Sequence, residues 1–182
     1  ISNFKTKNTS LIPIKQNLID KIWLNRPKVT IKKFFVLNSK YTGKNYRNKL
    51  NLVSKILKKR KINKLLITAP ENLAWLLNIR GRDSEYSPLP NCQAILNNNK
   101  KITLIVNKNK INNKFELHFK NIINYINPSY VTKYFNNLNS KEFFLIDKFS
   151  CSYYYKKLIA KKFKYEEKND PIYILKAKKN NV

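Results

Sequence analysis

The chain has 182 residues, with 38 lysines and arginines against 10 acidic residues and a formal net charge of +28. This length allows one ordinary domain with its own core, or one domain and part of another. No apolar run approaches the ~20 residues of a membrane-spanning helix, and two cysteines are too few for a disulfide framework. We therefore expect a cytoplasmic protein with no membrane partner, in which Cys92 and Cys151 are reduced and buried.

The positive charge has two possible explanations. The excess is nearly all lysine, is accompanied by many asparagines and isoleucines, and is spread along the whole chain. This distribution favours a compositional bias with solvated lysines, and we expect no nucleic-acid partner. The alternative is a basic module that binds nucleic acid or another polyanion, because tyrosines and phenylalanines interleaved with lysines can stack on bases. In that case the cations and exposed aromatic rings should share one face.

The first half of the chain alternates between strand and helix patterns. Residues 1–33 do not form a self-contained unit, and we interpret them as the tail of a preceding domain and a linker. Apolar residues recur at helical spacing within residues 44–60, namely Tyr46, Leu50, Val53 and Leu57. The remaining predicted elements of this half are strands at 34–37 and 65–68 and a helix at 71–77, with Pro70 in its first turn.

The second half continues this alternation. Alternating apolar residues on both sides of an asparagine-rich turn predict a hairpin at 92–107. The other predicted elements are helices at 114–125, 130–138 and 152–163 and a strand at 142–146. Strands mixed with helices, together with one hairpin, predict an α/β domain with a mixed sheet flanked by helices. With only two glycines in the chain, we expect asparagines to occupy many left-handed turn positions.

The residue inventory argues against catalysis by this chain. His118 is the only histidine, and it diverges from Glu116 on the predicted helix. A dinuclear hydrolase site needs several carboxylates and usually an imidazole converging on the metals. We therefore expect no metal, no cofactor and no catalytic residue on this chain. Neither cysteine has a neighbouring nucleophile signature.

The feature most like a site is the segment 78–83, which follows a short apolar helix. Arg80 carries a rigid, permanently charged fork that suits carboxylates, and the neighbouring Gly81 allows a ligand or another backbone to come close. These properties make Arg80 a candidate for contact with a carboxylate ligand. The alternative, which is simpler on spacing alone, is that Arg80 pairs with Asp83 or Glu85 and orders the loop.

Several ordered motifs resemble those of one enzyme family. They are Asn17-Leu-Ile-Asp-Lys-Ile-Trp23, Tyr41-Thr-Gly43, Ala74-Trp-Leu-Leu-Asn-Ile-Arg-Gly-Arg-Asp83 and Leu175-Lys-Ala177. Together they are similar to the non-catalytic part of an Xaa-Pro aminopeptidase of the aminopeptidase P type. The resemblance departs from the family pattern at Arg82, where a serine is usual, and at Ser84-Glu85.

The resemblance implies a creatinase-type N-terminal domain with a ribonuclease-H-like mixed sheet. It implies that residues 34–182 are the second of three domains and that the catalytic domain, with two manganese ions, follows them. The enzyme would remove the residue that precedes proline at the second position of a peptide, and it would act as a homodimer. The resemblance also implies that Arg80 faces the active site and binds substrate, with Trp75 packed beneath it. By itself the chain would be inactive, a module that shapes the substrate entrance and the dimer.

Overall fold

The computed structural model describes residues 12, 14, 16–27 and 31–178. The predicted tail and linker, residues 1–33, therefore lie partly outside these described residues, at 1–11, 13, 15 and 28–30. The chain divides into two compact units, Ile1–Thr30 and Ile31–Val182. Across the described residues, no helix is both long enough and apolar enough to cross a membrane.

Among the described residues of the first unit, Leu18–Ile22 form a short helix, α1. The side chain of Asn17 accepts a hydrogen bond of 2.9 Å from the backbone N–H of Ile19 and so caps the first turn. Asp20 forms an exposed ion pair of 2.8 Å with Arg26.

The second unit holds the remaining elements, which alternate between strand and helix. The strands are β1 (Phe35–Val36), β2 (Lys64–Ile67), β3 (Ile79–Arg80), β4 (Gln93–Asn97), β5 (Ile102–Ile105), β6 (Ile123–Ile126), β7 (Phe143–Asp147) and β8 (Lys164–Lys168). The helices are α2 (Ser39–Thr42), α3 (Tyr46–Lys59), α4 (Pro70–Leu77), α5 (Asn113–His118), α6 (Val131–Asn137), α7 (Tyr153–Ala160) and α8 (Pro171–Ala177).

Six of the strands form one mixed sheet in the order β6-β5-β4-β2-β7-β8. β4 is antiparallel to β2 and β5, and the other neighbours are parallel. The carboxyl ends of β2, β7 and β8 therefore share one edge of the sheet. β1 and β3 form a separate two-stranded ribbon with Phe35 opposite Arg80.

Helices cover both faces of this sheet because its strands alternate between two apolar cores. Leu65 and Ile67 belong to the core beneath α3, α4, α5 and α8. Leu66, between them, belongs to the core beneath α6 and α7. The predicted α/β architecture with a flanked mixed sheet is confirmed.

One predicted helix was wrong in its second half. Residues 114–125 were expected to be helical, but α5 ends at His118 and Ile123 begins strand β6. Asn121 adopts a left-handed conformation with φ of 66°, which a continuing right-handed helix does not allow. The residues after this turn pair with strand β5 instead of continuing the helix, with Ile102 opposite Ile123.

Strand β8 and helix α8 are among the elements that had no prediction. Strand β8, Lys-Tyr-Glu-Glu-Lys, lies at the edge of the sheet and is polar, so it lacks the apolar run that identifies a buried strand. Helix α8 begins at Pro171, with the side chain of Asp170 accepting from the N–H of Ile172.

Candidate functional site

The segment 78–83 begins at the carboxyl end of α4. Asn78 adopts the left-handed conformation, with φ of 55° and ψ of 36°, and its N–H donates to carbonyl oxygens of the last helical turn. Asparagine tolerates this conformation better than most residues, so the helix can end without a glycine. The turn directs the chain into β3, where Ile79 pairs with Val36.

Arg80 is partly buried and is turned back toward α4. Its Nη1 atom lies 2.9 Å from the carbonyl oxygen of Ile79 and 3.2 Å from that of Ala74. Desolvation by burial lowers the pKa of Arg80 below its usual value. The guanidinium is thus a second donor to the Ala74 carbonyl oxygen, which also accepts from the N–H of Asn78 at the end of α4.

The alternative ion pair between Arg80 and Asp83 does not form. Asp83 instead lies 2.5 Å from Lys110 Nζ through Oδ1 and accepts from the backbone N–H of Asn91 at 2.8 Å through Oδ2. Within the described part of the chain, no carboxylate lies at ion-pair distance from Arg80.

Lys49, which the sequence analysis did not single out, is the buried cation next to this segment. Its side chain is almost fully buried, and Nζ donates to the Trp75 carbonyl oxygen at 2.9 Å and to Asn78 Oδ1 at 2.5 Å. The ammonium also lies 4.6 Å from the centroid of the Trp75 ring. Burial, with smaller effects from Arg80 and Lys44, lowers the pKa of Lys49 to about 8.

A signal for Lys49 was present in the sequence. It lies three residues after Tyr46 and four before Val53, so it occupies the apolar face of α3. A lysine on a buried helix face needs acceptors inside the protein, and those acceptors come from the end of α4.

Gly81 allows a close approach of backbone. A Cβ atom at this position would lie 2.8 Å from both the Leu89 carbonyl oxygen and Pro90 Cα, and the N–H of Gly81 donates to Pro88 at 2.9 Å. The returning loop therefore packs directly on Gly81. Side chains at this position would displace the backbone of the loop.

The side chain of Arg82 lies against Phe35, whereas that of Arg80 contacts the end of α4. Arg82 is exposed, and its guanidinium carbon lies 5.6 Å from the centroid of the Phe35 ring. Together with Lys32 and Phe35, it lines two adjoining open cavities of about 360 and 390 Å³.

A second polar cluster lies near the opposite end of α4. The carboxylate of Asp170 accepts a hydrogen bond of 2.9 Å from Asn72 Nδ2. The backbone N–H of Asp170 donates a hydrogen bond of 2.9 Å to Asp147 Oδ1. Asn72 in turn accepts from Lys176 Nζ at 2.9 Å. Desolvation raises the pKa of the buried Asp170 to about 6.

The other candidate groups lie apart from the segment 78–83. His118 is exposed at the end of α5, and Glu116 pairs with Lys108 at 3.8 Å. Both cysteines are free thiols, as expected, but only Cys92 is buried; Cys151 is half-buried, which corrects the prediction. Burial raises the pKa of Cys92 to about 12 and that of Cys151 to about 11, so both stay protonated near neutral pH.

No group of three or more histidine, cysteine, aspartate or glutamate side chains is placed to hold a metal ion among residues 12, 14, 16–27 and 31–178.

Comparison with known proteins agrees with the motifs. The family described as the creatinase/prolidase N-terminal domain matches residues 25–182. The Xaa-Pro aminopeptidase ApepP of Drosophila melanogaster is 30% identical over 180 residues, which cover 94% of this chain and 28% of that protein. Aminopeptidase P1 of Lotus japonicus is 30% identical over 118 residues, or 65% of this chain and 18% of that protein.

The fold is also found in a solved structure. The X-prolyl aminopeptidase of Caenorhabditis elegans, described as a cytosolic enzyme with a di-nuclear active site, superposes with a TM-score of 0.83 at 23% identity. The match covers 93% of this chain and 28% of the nematode enzyme. The chain thus spans less than a third of the length of these relatives, and it belongs to the creatinase/prolidase N-terminal domain family.

Proposed function

We propose that this chain is the non-catalytic N-terminal module of a metal-dependent Xaa-Pro aminopeptidase. The observation that carries the proposal is the family match over residues 25–182, combined with Xaa-Pro aminopeptidase relatives along nearly the whole chain. In this proposal residues 1–33 are the tail of a preceding domain and a linker, and residues 34–182 are the second domain.

Catalysis would take place in a region that follows this module. The nematode relative has a di-nuclear active site, and two manganese ions would be the metals here. The described residues of this chain do not offer a set of metal ligands, so the ligands would come from the catalytic region. That region would remove the N-terminal residue that precedes proline, and the enzyme would be a cytoplasmic homodimer whose entrance this module helps to form.

Arg80 is the residue that we propose for contact with the peptide substrate. Both of its hydrogen bonds use Nη1, whereas a guanidinium carries five N–H donors on three nitrogens. The two carbonyl contacts hold the planar group in one orientation. The donors on Nη2 and Nε could then bind a carbonyl or carboxylate group of the peptide.

A chimera tests this function. The chain replaces the matching segment of the Drosophila relative, and cleavage of an Xaa-Pro peptide is measured with added manganese. We expect cleavage by the chimera and none by the 182-residue chain alone. Manganese-dependent cleavage by the chain alone would contradict the proposal, as would an inactive chimera that is folded and binds manganese.

A further inference from the structure

The surface around Arg82 has features that the proposed function does not use. We define the Arg82 surface by Lys32, Phe35, Arg82 and Tyr86, which line an open cavity of about 360 Å³. The neighbouring cavity of about 390 Å³ shares the first three of these residues. Phe35 is 37% exposed and Tyr86 is 93% exposed, so aromatic rings as well as cations face the solvent here.

The ribbon of β1 and β3 explains why Arg82 reaches Phe35. Phe35 lies directly opposite Arg80, and Arg82 follows two residues later, at the diagonal position. Side chains at diagonal positions of a ribbon are within reach when one of them is long. A guanidinium against an aromatic ring gains a cation–π attraction and keeps its N–H edges available.

The loop that carries Arg82 is anchored on both sides. Gly81 donates to the Pro88 carbonyl oxygen at 2.9 Å. On the other side, Asp83 binds the Asn91 N–H and Lys110 Nζ. Arg82 therefore projects from a fixed backbone, which reduces the ordering cost of binding a ligand.

The charges of the Arg82 surface indicate an anionic ligand. Among the described residues, no carboxylate lies within ion-pair distance of Arg82 or Lys32. Arg82 offers two parallel donors that match a carboxylate, and the exposed ring of Phe35 offers apolar contact beside it.

The size and composition of the surface favour a peptide over a nucleic acid. A cavity of about 360 Å³ accommodates one or two amino-acid side chains. A phosphate backbone needs a continuous track of cations, and Glu85 interrupts such a track because it lines the same cavity. A single carboxylate needs no such track, and two cations, Arg82 and Lys32, line this cavity.

We propose that the Arg82 surface binds a carboxylate of a short peptide, with Arg82 as the specificity-determining residue and Phe35 in contact with a neighbouring apolar side chain. This deepens the proposed function, because it names peptides with a carboxylate as the preferred class. The binding can nevertheless be measured on the isolated chain. A failure here leaves the chimera assay, and thus the proposed function, unaffected.

The test is an NMR titration of the ¹⁵N-labelled chain at low salt. The probes are Ala-Pro-Leu-Glu with an amidated C-terminus, the matching Gln peptide amide, and the same Gln peptide with a free C-terminal carboxylate. We expect the Glu peptide to shift the amide signals of Phe35, Gly81 and Arg82 and to bind at least fivefold more tightly than the Gln amide. If the free-acid Gln peptide bound more tightly than the Glu peptide amide, the C-terminal carboxylate would be the group that the surface recognises.

Substitutions test whether Arg82 causes the preference for the peptide carboxylate. Arg82→Ser should remove the preference for the carboxylate, Arg82→Lys should retain part of it, and the control Arg60→Ser, an exposed arginine at the end of α3, should retain all of it. Equal binding of the Glu and Gln amides, or an unchanged preference in Arg82→Ser, overturns the proposal. Shifts produced at this surface by a single-stranded oligonucleotide but by none of the peptides would also overturn it, in favour of a nucleic-acid site.

Discussion

The two ends of α4 contain buried charges of opposite sign. At its carboxyl end, Lys49 and Arg80 donate to helix carbonyl groups, whereas near its amino end Asp170 is bound to the side chain of Asn72. This arrangement matches the helix dipole, which favours cations at the carboxyl end and anions at the amino end. The two ends differ in which part of α4 is contacted. The cations bind backbone carbonyl groups of the helix, whereas the carboxylate binds one of its side chains.

Burial shifts the pKa values of the charged groups at the two ends of α4 in opposite directions. It lowers the pKa of Lys49 to about 8 and raises that of Asp170 to about 6. Both groups are therefore charged together only between these two values. This window, which includes neutral pH, is where the domain bears the desolvation cost of both charges.

The largest effect is expected from Lys49→Met. The folded state holds the proton of Lys49 less tightly than the unfolded state, whose pKa is near 10.5. The unfolded state therefore binds more protons between pH 8 and 10.5, and the titration of Lys49 adds roughly 2–3 kcal/mol to the free energy of unfolding of the wild type across this range. The variant should lack this rise. At pH 7 the change in stability should be smaller, within about 1 kcal/mol, because two acceptors lose their donor while the desolvation cost of the buried ammonium is removed.

Denaturant unfolding at several pH values measures this difference. Lys55→Met is the matched control because Lys55 is an exposed lysine on the same helix. The free energy of unfolding of Lys55→Met should change with pH in the same way as that of the wild type. The same pH dependence for Lys49→Met as well would show that the buried ammonium has an ordinary pKa.

Asp170→Asn tests the opposite end and should have a somewhat smaller effect. The folded carboxyl group has a pKa of about 6 against 3.8 for the unfolded one, so the folded state binds more protons between these values. The wild type should therefore lose roughly 2–3 kcal/mol of unfolding free energy as pH rises from 4 to 6. The variant should not show this loss, because asparagine keeps the acceptor for the Ile172 N–H without titrating.

The control for this end is Asp20→Asn, which removes an exposed carboxylate from α1. The pH profile of the control should follow that of the wild type. If Asp170→Asn and the wild type showed the same dependence between pH 4 and 6, the carboxylate of Asp170 would titrate normally and the comparison of the two ends would fail.

The local parts of this arrangement could be predicted from the sequence. Helical spacing from Tyr46 to Leu57 predicted α3, and Pro70 with the apolar residues after it predicted α4. The position of Arg80 just after α4 followed from these elements. Each of these features depends on residues within a few positions of one another.

The contacts that give these elements their chemistry could not be predicted in the same way. Lys49 contacts the end of α4 from another helix, and Asp170 follows a polar edge strand without an apolar pattern. Strand β6 was missed for a related reason: the spacing of its isoleucines also fits a helix, and only pairing with β5 decides between them. Long-range pairing carries no short-range signal.

The smallest effect on stability is expected from Arg80→Met. The Ala74 carbonyl oxygen also accepts from the N–H of Asn78, so the loss of the guanidinium does not leave it without a donor. We expect a decrease of about 1 kcal/mol in unfolding free energy, with Arg60→Met as an exposed control. In the chimera, the same substitution should lower kcat/KM for the Xaa-Pro peptide by about tenfold.

These two measurements separate a structural role of Arg80 from contact with substrate. If the guanidinium only closes the end of α4, activity should fall no further than the folded fraction does, and Arg80→Lys should restore both. If it binds the peptide, kcat/KM should fall while the protein stays folded, and lysine should restore little because it lacks the planar pair of donors. An unchanged kcat/KM in folded Arg80→Met would contradict substrate binding and leave Arg80 as a cap of α4.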